Sequence, residues 1–179
     1  TREIPHNLGV APGLVLLKST SNKEIWLVYH RSTGNNEYLV LNEAYQSSAG
    51  PQFWDATDSA FIINEPNLLT PGQDYVAYFF AHDDSDEGLI QCGSYTGTGA
   101  AGNEIDLGWE PQWLLIKGAT GGGDWQILDS VRGIHSSETF DARLLANDRV
   151  KEYNSIEAVR LNPTGFKIDG TAGGAFNSN

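Results

Sequence analysis

The sequence contains no methionine and a single cysteine among its 179 residues. One cysteine excludes an intramolecular disulfide and cannot by itself form a metal site, so the chain is not a disulfide framework. We predict that Cys92, in a strand-like run, is a buried and unreactive thiol. The missing initiator leads us to expect that this chain is an excerpt of a longer polypeptide.

Basic residues are also scarce: 11 Lys and Arg stand against 23 Asp and Glu, giving a net charge of −12 and a pI near 4.5. Nothing resembles the basic stripe that binds phosphate backbones, which argues against a nucleic-acid partner. An anionic membrane surface is disfavoured for the same reason, and no apolar run is long enough to cross a bilayer. We therefore expect neither nucleic-acid binding nor membrane insertion.

What the sequence does contain is an internal repeat. Positions that recur 99 residues later are Leu8, Gly9, Pro12, Lys18, Trp26 and Gly34. Positions that recur 105 residues later include Leu39, Asn42 and Phe61. The first repeat ends in an aromatic run, residues 75–80, whose equivalent would begin one position after residue 179. The spacing predicts that the second repeat lacks its last strand.

Short apolar runs rich in β-branched and aromatic residues alternate with Gly, Pro, Asn, Asp and Ser clusters, a pattern typical of all-β proteins. We predict an antiparallel β-sandwich, jelly-roll or lectin-like, built from two repeated halves. Residues 1–80 form the first β-repeat, residues 81–103 a linking acidic loop, strand and Gly-rich loop, and residues 104–179 the second repeat. Residues 118–124 read as a hairpin turn, and residues 147–159 are permissive for one short helix.

No catalytic motif is present: the sequence lacks a nucleophile elbow, a zinc-protease motif, a Walker loop and a dinucleotide fingerprint. We expect no enzymatic activity and no organic cofactor. The acidic run that contains Asp83, Asp84 and Asp86 could gather oxygen ligands around Ca²⁺, although it lacks the full calcium-loop pattern. The alternative is a solvated acidic turn between two strands.

The aromatic residues divide into two groups. Trp26 and its repeat Trp125 have the character of core anchors, and Trp109 and Trp113 replace apolar residues of the first repeat, which also predicts core positions. Trp54 has no aromatic counterpart, and Tyr95 lies in a Gly/Thr-rich loop. These two residues are our candidates for a ligand-binding, sugar-stacking surface, with simple packing as the alternative.

Several long motifs of the chain resemble a known family. They are PHNLGVAPG at 5–13, YLVLN at 38–42, YVAYFFAHD at 75–83, GLIQCGSYTG at 88–97, LGWEPQWLLIK at 107–117, RLLAN at 143–147 and TGFK at 164–167. Together they resemble a repeat domain of virion appendage proteins, mostly tail fibres, of tailed bacteriophages of the marine and cyanophage type. The resemblance covers nearly the whole chain.

This resemblance implies an extracellular virion component with a structural or adhesive role in host attachment. It also implies a homo-oligomer, for instance a trimer, that contacts other virion proteins and a host-surface glycan. It supplies no catalytic residues. Two alternatives stay open: a carbohydrate-binding, lectin-like module, and a capsid decoration or head-fibre protein.

Overall fold

A computed structural model describes residues 1–65, 67–85, 87–134, 141–154, 158–168 and 177. These residues form 14 strands in four antiparallel sheets, and no helix occurs among them. The predicted all-β, sandwich-like fold is confirmed. The short helix suggested for residues 147–159 is not seen in its described part, and Val159 begins a strand.

The chain divides into two compact units. The first comprises Thr1–Leu41, Ser47–Asp83 and Glu87–Ser94, and the second comprises Asn42–Gln46, Asp84–Asp86 and Tyr95–Asn179. The run that ends at Cys92 belongs to the first unit, and the strand predicted for it in the linking segment is corrected, because residues 88–92 form no strand.

The first unit contains a five-stranded and a three-stranded sheet. Its strands are β1 (Arg2–Pro5), β2 (Pro12–Ser19), β3 (Leu27–His30), β4 (Glu37–Val40), β5 (Ser48–Ala49), β6 (Trp54–Ala56), β7 (Ala60–Ile63) and β8 (Tyr75–Ala81). The larger sheet has the order β5-β4-β3-β2-β8, and the smaller has the order β1-β7-β6. Strand β2 therefore lies between β3 and β8.

The second unit contains two three-stranded sheets. Its strands are β9 (Asn103–Asp106), β10 (Trp113–Ile116), β11 (Gln126–Asp129), β12 (Arg143–Leu145), β13 (Val159–Asn162) and β14 (Gly165–Ile168). The orders are β10-β11-β12 and β13-β14-β9. The repeat spacing maps β2, β3, β4, β6 and β7 onto β10, β11, β12, β13 and β14, in that order.

The pairing partners follow the same mapping. Phe61 of β7 pairs with Ile4 of β1, and the repeat residue Phe166 of β14 pairs with Ile105 of β9. Strands β1 and β9 are thus equivalent as well, although the spacing between them is shifted by two residues. The two units share one strand plan. Strand β5 is represented in the second unit by the isolated bridge between Arg143 and Tyr153, and β8 has no equivalent among the described residues.

Each unit encloses its own core between its two sheets. In the first unit, Val15 and Tyr29 of the large sheet pack with Phe61 of the small sheet. In the second, Leu114 and Leu128 pack with Phe166. Alternating burial along β2, with every second side chain inside, is the pattern expected of a sheet covered on one face.

The predicted Gly-rich turn is confirmed between β10 and β11. These strands form an antiparallel pair in which Ile116 lies opposite Gln126. Gly122 and Gly123 have φ values of 71° and 97°, a region in which a side chain would be strained. The turn therefore depends on glycine at these positions.

Candidate functional site

Trp54, one of the two predicted ligand-binding residues, lies in the core of the first unit. Its side chain is 0% exposed, and its Nε1 donates to the carbonyl oxygen of Glu37 at 2.8 Å. The indole stacks on Phe61 at 5.4 Å and meets the edge of Tyr29 at 6.3 Å. A ring with no exposed face cannot stack on a sugar, so this assignment is corrected: Trp54 is a packing residue.

The internal repeat already indicated that Trp54 occupies a core position. The equivalent of Trp54 is Val159, and Val159 is also buried, at 1% exposure. A position that is apolar in both repeats predicts a core site, whichever side chain fills it. The absence of an aromatic counterpart was therefore misleading.

Tyr95, the other predicted ligand-binding residue, lies in the second unit. Its ring is partly buried against the core and meets the edge of Phe166 at 6.2 Å. Burial raises the pKa of the Tyr95 hydroxyl to about 12. The structure therefore places Trp54 and Tyr95 in different units, and Tyr95 packs against the core of the second.

The acidic run shows no formed metal site in the part of the chain that is described. Asp83 and Asp84 are exposed, and the Asp83 amide donates to the carbonyl oxygen of Ile90 at 3.0 Å. Asp86 lies outside the described residues. Within the described ranges, no three or more His, Cys, Asp or Glu side chains are grouped so as to hold a metal ion.

A cluster that sequence reasoning missed surrounds Gly13 in the first unit. The register of β2 against β8 shifts between Pro12 and Leu14, and a Cβ atom built on Gly13 would lie 2.7 Å from Cys92 Cβ and 2.8 Å from His82 Cβ. The Cys92 amide donates to His82 Nδ1 at 3.1 Å. The segment after β8 is thereby packed onto the start of β2.

The titration behaviour of this cluster suits packing rather than nucleophilic chemistry. Burial raises the pKa of Cys92 to about 11, so the thiol stays protonated near neutral pH. Burial, with Arg31 and His82 adding positive charge, lowers the pKa of nearby His30 to about 4. The prediction that Cys92 is buried is confirmed.

The feature that best separates the two units is the outer edge of β10. Its first-unit equivalent, β2, is paired on both sides, by β3 and by β8. Strand β10 is paired with β11 alone among the described residues. We call the backbone groups that point away from β11 the β10 edge.

Hydrogen bonding identifies the residues of the β10 edge. The Ser130 amide donates to the carbonyl oxygen of Gln112, so Gln112 faces β11. Because successive residues of an antiparallel strand face opposite sides, Leu114 and Ile116 also face β11. The N–H and C=O groups of Trp113 and Leu115 therefore point outward and form the β10 edge.

The side chains of β10 are also less covered than their equivalents in β2. Leu114 and Ile116 are 9% and 8% exposed, against 0% and 1% for Val15 and Leu17. Trp113 is 55% exposed, so the prediction that it occupies the core is wrong. Strand β10 pairs with β11 as the repeat predicts, and no strand in the described part of the chain pairs with the side of β10 that corresponds to the β8 side of β2.

The comparisons with known proteins identify a family without a known role. The chain matches the model of a domain of unknown function (DUF7483) over residues 1–179, and it belongs to that family. No curated protein and no solved structure matches it. None of the described segments is a helix long and apolar enough to span a membrane.

Proposed function

We propose that this chain is a structural and adhesive module of a tailed-bacteriophage virion appendage, such as a tail fibre involved in host attachment. The virion setting, outside the cell, rests on the sequence resemblance. The mode of action that we assign is assembly with other polypeptide chains rather than catalysis. A homo-oligomer, for instance a trimer that also contacts other virion proteins, is the expected form.

The observation that carries the proposal is the β10 edge. Strand β10 is uncharged, carries an exposed tryptophan and is unpaired on one side among the described residues; proteins normally protect such an edge, because it pairs readily with another strand. Natural edges are blunted by charge, proline or bulges, and β10 has none of these within Trp113–Ile116. The flanking Lys117 ammonium instead donates to the carbonyl oxygen of Gly123 in its own hairpin turn.

The acidic composition fits the same proposal. A net charge of −12 keeps a protein soluble through repulsion between molecules, so association has to come from a specific surface. Exposed apolar residues distributed over the units, including Tyr78 at 47% and Trp113 at 55%, offer such surfaces. A host glycan is a further proposed ligand, with Tyr95 as the remaining aromatic candidate and Trp54 withdrawn.

Sedimentation equilibrium on the native polypeptide that carries this chain tests the assembly. We expect a mass several times that of one polypeptide, not reduced by raising the salt concentration, because an edge strand associates through hydrogen bonds and apolar contacts and salt screens the repulsion between the acidic chains. A strict monomer at micromolar concentration would refute the assembly role. Immunogold electron microscopy of phage particles would test the virion location, and labelling confined to the capsid would favour a head-fibre or decoration protein.

A further inference from the structure

We propose that neutral His82 is an acid-sensitive latch for residues 87–92, the segment of the first unit that carries Cys92. We call this segment the strap. When the His82 ring takes up a proton, the strap loses the hydrogen bond that fixes Cys92 to the end of β8, and the start of β2 is uncovered. The release is local, so the sheets of the first unit stay folded. The inference goes beyond the proposed function and does not rest on it.

The strap is held by individual hydrogen bonds, since residues 87–92 form no strand. The Cys92 amide donates to His82 Nδ1 at 3.1 Å, and the Asp83 amide donates to the carbonyl oxygen of Ile90 at 3.0 Å. His82 and Asp83 directly follow β8, so both bonds fasten the strap to the end of that strand. A segment without a strand ladder opens locally at a lower cost than the sheet beside it.

The hydrogen bond from the Cys92 amide requires an unprotonated nitrogen on His82. An amide N–H can only donate, so Nδ1 has to offer its lone pair, and the closed strap selects the neutral ring with its proton on Nε2. Protonation would place a hydrogen on Nδ1 and set two donors against each other at 3.1 Å. The Cys92 amide would then lose its acceptor at a residue that is 6% exposed, which disfavours the closed strap.

The closed strap covers the backbone at the start of β2, where Pro12 and Gly13 are buried. A Cβ atom built on Gly13 would lie 2.7 Å from Cys92 Cβ and 2.8 Å from His82 Cβ, so both side chains lie directly on this backbone. Glycine has no side chain that would interlock with the strap. The strap can therefore separate from β2 once the latch opens, and the Cys92 thiol is uncovered with it.

The charged groups at this place oppose a proton on His82. His30, at the end of β3, is close enough to His82 for positive charges on the two rings to repel, and Arg31 adds positive charge beside His30. The start of β2 brings no titratable group, and the strap brings a thiol that stays protonated. Among the described residues, the carboxylates nearest to His82 in sequence are exposed: Asp83, Asp84 and Glu87. Water and salt screen the attraction of exposed carboxylates for an imidazolium.

The direction of the pH dependence follows from the protonation state of the closed strap. The closed strap excludes a proton from His82 Nδ1, whereas a histidine in the released strap titrates near its ordinary value of about 6.5. Closure is therefore complete above that pH and weakens as the pH falls below it. The pKa of His30 is about 4, so a second positive charge joins the cluster only in stronger acid.

The reactivity of the Cys92 thiol tests the proposal, because the chain has one cysteine. The probe is 4,4′-dithiodipyridine, which reacts with thiols in acidic as well as neutral solution. At each pH the rate for the folded chain is divided by the rate for the urea-unfolded chain, which removes the titration of the thiol itself. We expect this ratio to rise about tenfold or more from about pH 7.5 to about pH 5, while circular dichroism shows folded protein throughout.

Three variants of the two histidines identify the latch. His82→Asn supplies an amide oxygen near the place of Nδ1 that accepts at every pH, so the ratio should stay low and flat. His82→Ala has no acceptor and should give a high ratio at both ends of the range. His30→Asn is the matched control, and it should keep the rise of the parent because His30 titrates in stronger acid.

Each remaining outcome decides against the latch. A flat ratio in the parent would show that acid does not open the strap, and a rise that persists in His82→Asn would assign the opening to another group. Loss of the rise in His30→Asn would make His30 the switch instead. If a His82 variant does not fold, hydrogen exchange at the Cys92 amide of the parent decides, since its protection factor should fall by the same factor over this range and should not stay constant.

Discussion

The two repeats place equivalent hydrophobic strands in different surroundings. Strand β2 lies inside a five-stranded sheet, whereas β10 ends a three-stranded one. Their core-facing residues differ accordingly, with Val15 at 0% and Leu114 at 9% exposure. The difference lies in the neighbour rather than in the strand, since both runs are apolar and both pair with the next strand in the same way. An edge is thus a property of the sheet and not of the strand sequence.

The largest change in the free energy of unfolding is expected at the core position that Trp54 occupies in the first repeat and Val159 occupies in the second. Trp54→Ala removes a fully buried ring and leaves Glu37 O without its indole donor, so the free energy of unfolding should fall by about 3–5 kcal/mol. Val159→Ala removes less buried surface and should cost about 1–3 kcal/mol. Urea denaturation measures both, and equal losses would contradict the assigned packing.

A second pair of variants tests which acceptor holds the backbone amides at the start of β6 in the first repeat and at the start of its equivalent, β13, in the second. The amides of Phe53 and Trp54 donate to the backbone oxygen of Asn35 at 2.8 and 3.2 Å. Their equivalents, Ala158 and Val159, donate to the buried Asp141 carboxylate at 2.6 and 2.7 Å. A side-chain acceptor in one unit thus replaces a backbone acceptor in the other.

Only the side-chain acceptor can be removed by substitution. Asp141→Ala leaves two buried amides without an acceptor and should cost about 2–3 kcal/mol of unfolding free energy. Asn35→Ala keeps its backbone oxygen and should stay within about 0.5 kcal/mol of the parent. Thermal and urea unfolding of both variants provide the measurement, and a neutral Asp141→Ala would disprove the anchoring role.

The third prediction concerns Gly13, whose repeat equivalent is the exposed Gln112. Gly13→Ala would force a methyl group to within 2.8 Å of Cys92 Sγ and His82 Cβ, which should destabilise the protein by about 1–3 kcal/mol. Gln112→Ala is the control and should be close to neutral. Faster reaction of Cys92 with a thiol reagent in Gly13→Ala would show that the cluster has loosened, and an unchanged rate would argue against it.

The fourth prediction is a pH dependence of the first unit. His30 has a pKa of about 4 in the folded chain against 6.5 for an unperturbed histidine, so between these values the unfolded chain binds a proton that the folded chain does not. Stability should therefore decrease as the pH falls from about 6.5 towards 4. His30→Gln should flatten the melting temperature over this window, and an unchanged slope would exclude His30 as the cause.

The equivalent position in the second repeat is Asp129, which responds in a more acidic range. The hydrogen bond from Arg132 Nε, at 2.6 Å, lowers the pKa of Asp129 below its usual 3.8. Its contribution is present above pH 3.8 and is lost as the pH falls through the lowered value. Asp129→Asn should therefore lower stability throughout the range above pH 3.8, and the difference from the parent should shrink only below the window assigned to His30.

The smallest effect on stability is expected at the exposed Trp113. Trp113→Thr should change the free energy of unfolding by no more than about 0.5 kcal/mol, because the ring packs little within the described chain. Leu14→Thr, at the equivalent half-buried position beside β8, should cost more. A large loss in Trp113→Thr would indicate that the residue is already covered by a partner under the conditions of measurement.

Much of the strand plan was predictable from residue spacing. The recurrence at 99 and 105 residues links β3 to β11 and β7 to β14 in register, and the glycine turn before Asp124 was recognisable from its composition. Burial of Cys92 followed from its apolar neighbours. These features depend on residues close together in sequence, or on matched copies of one pattern.

The candidate site was much less predictable. Trp54 was taken for a surface ring because it has no aromatic counterpart in the second repeat, and Trp113 for a core residue because it replaces an apolar residue of the first repeat. Both assignments failed because side-chain exposure depends on segments far away in sequence. The packing of Cys92 and His82 over Gly13, at the start of β2, is another long-range contact that the sequence analysis did not predict.

Composition and residue spacing were enough to establish that the chain is an acidic β-protein made of two sequence repeats, because side-chain alternation, turn residues and repeat spacing can be read directly from the polypeptide sequence. Tertiary structure alone decided which strands have two neighbours and which have one. Strand β8 reaches β2 across more than fifty residues, and no local pattern of β10 reveals that its own second neighbour is missing among the described residues. The edge arises because backbone hydrogen bonds in a sheet are made between distant segments, so a strand cannot encode its own partner.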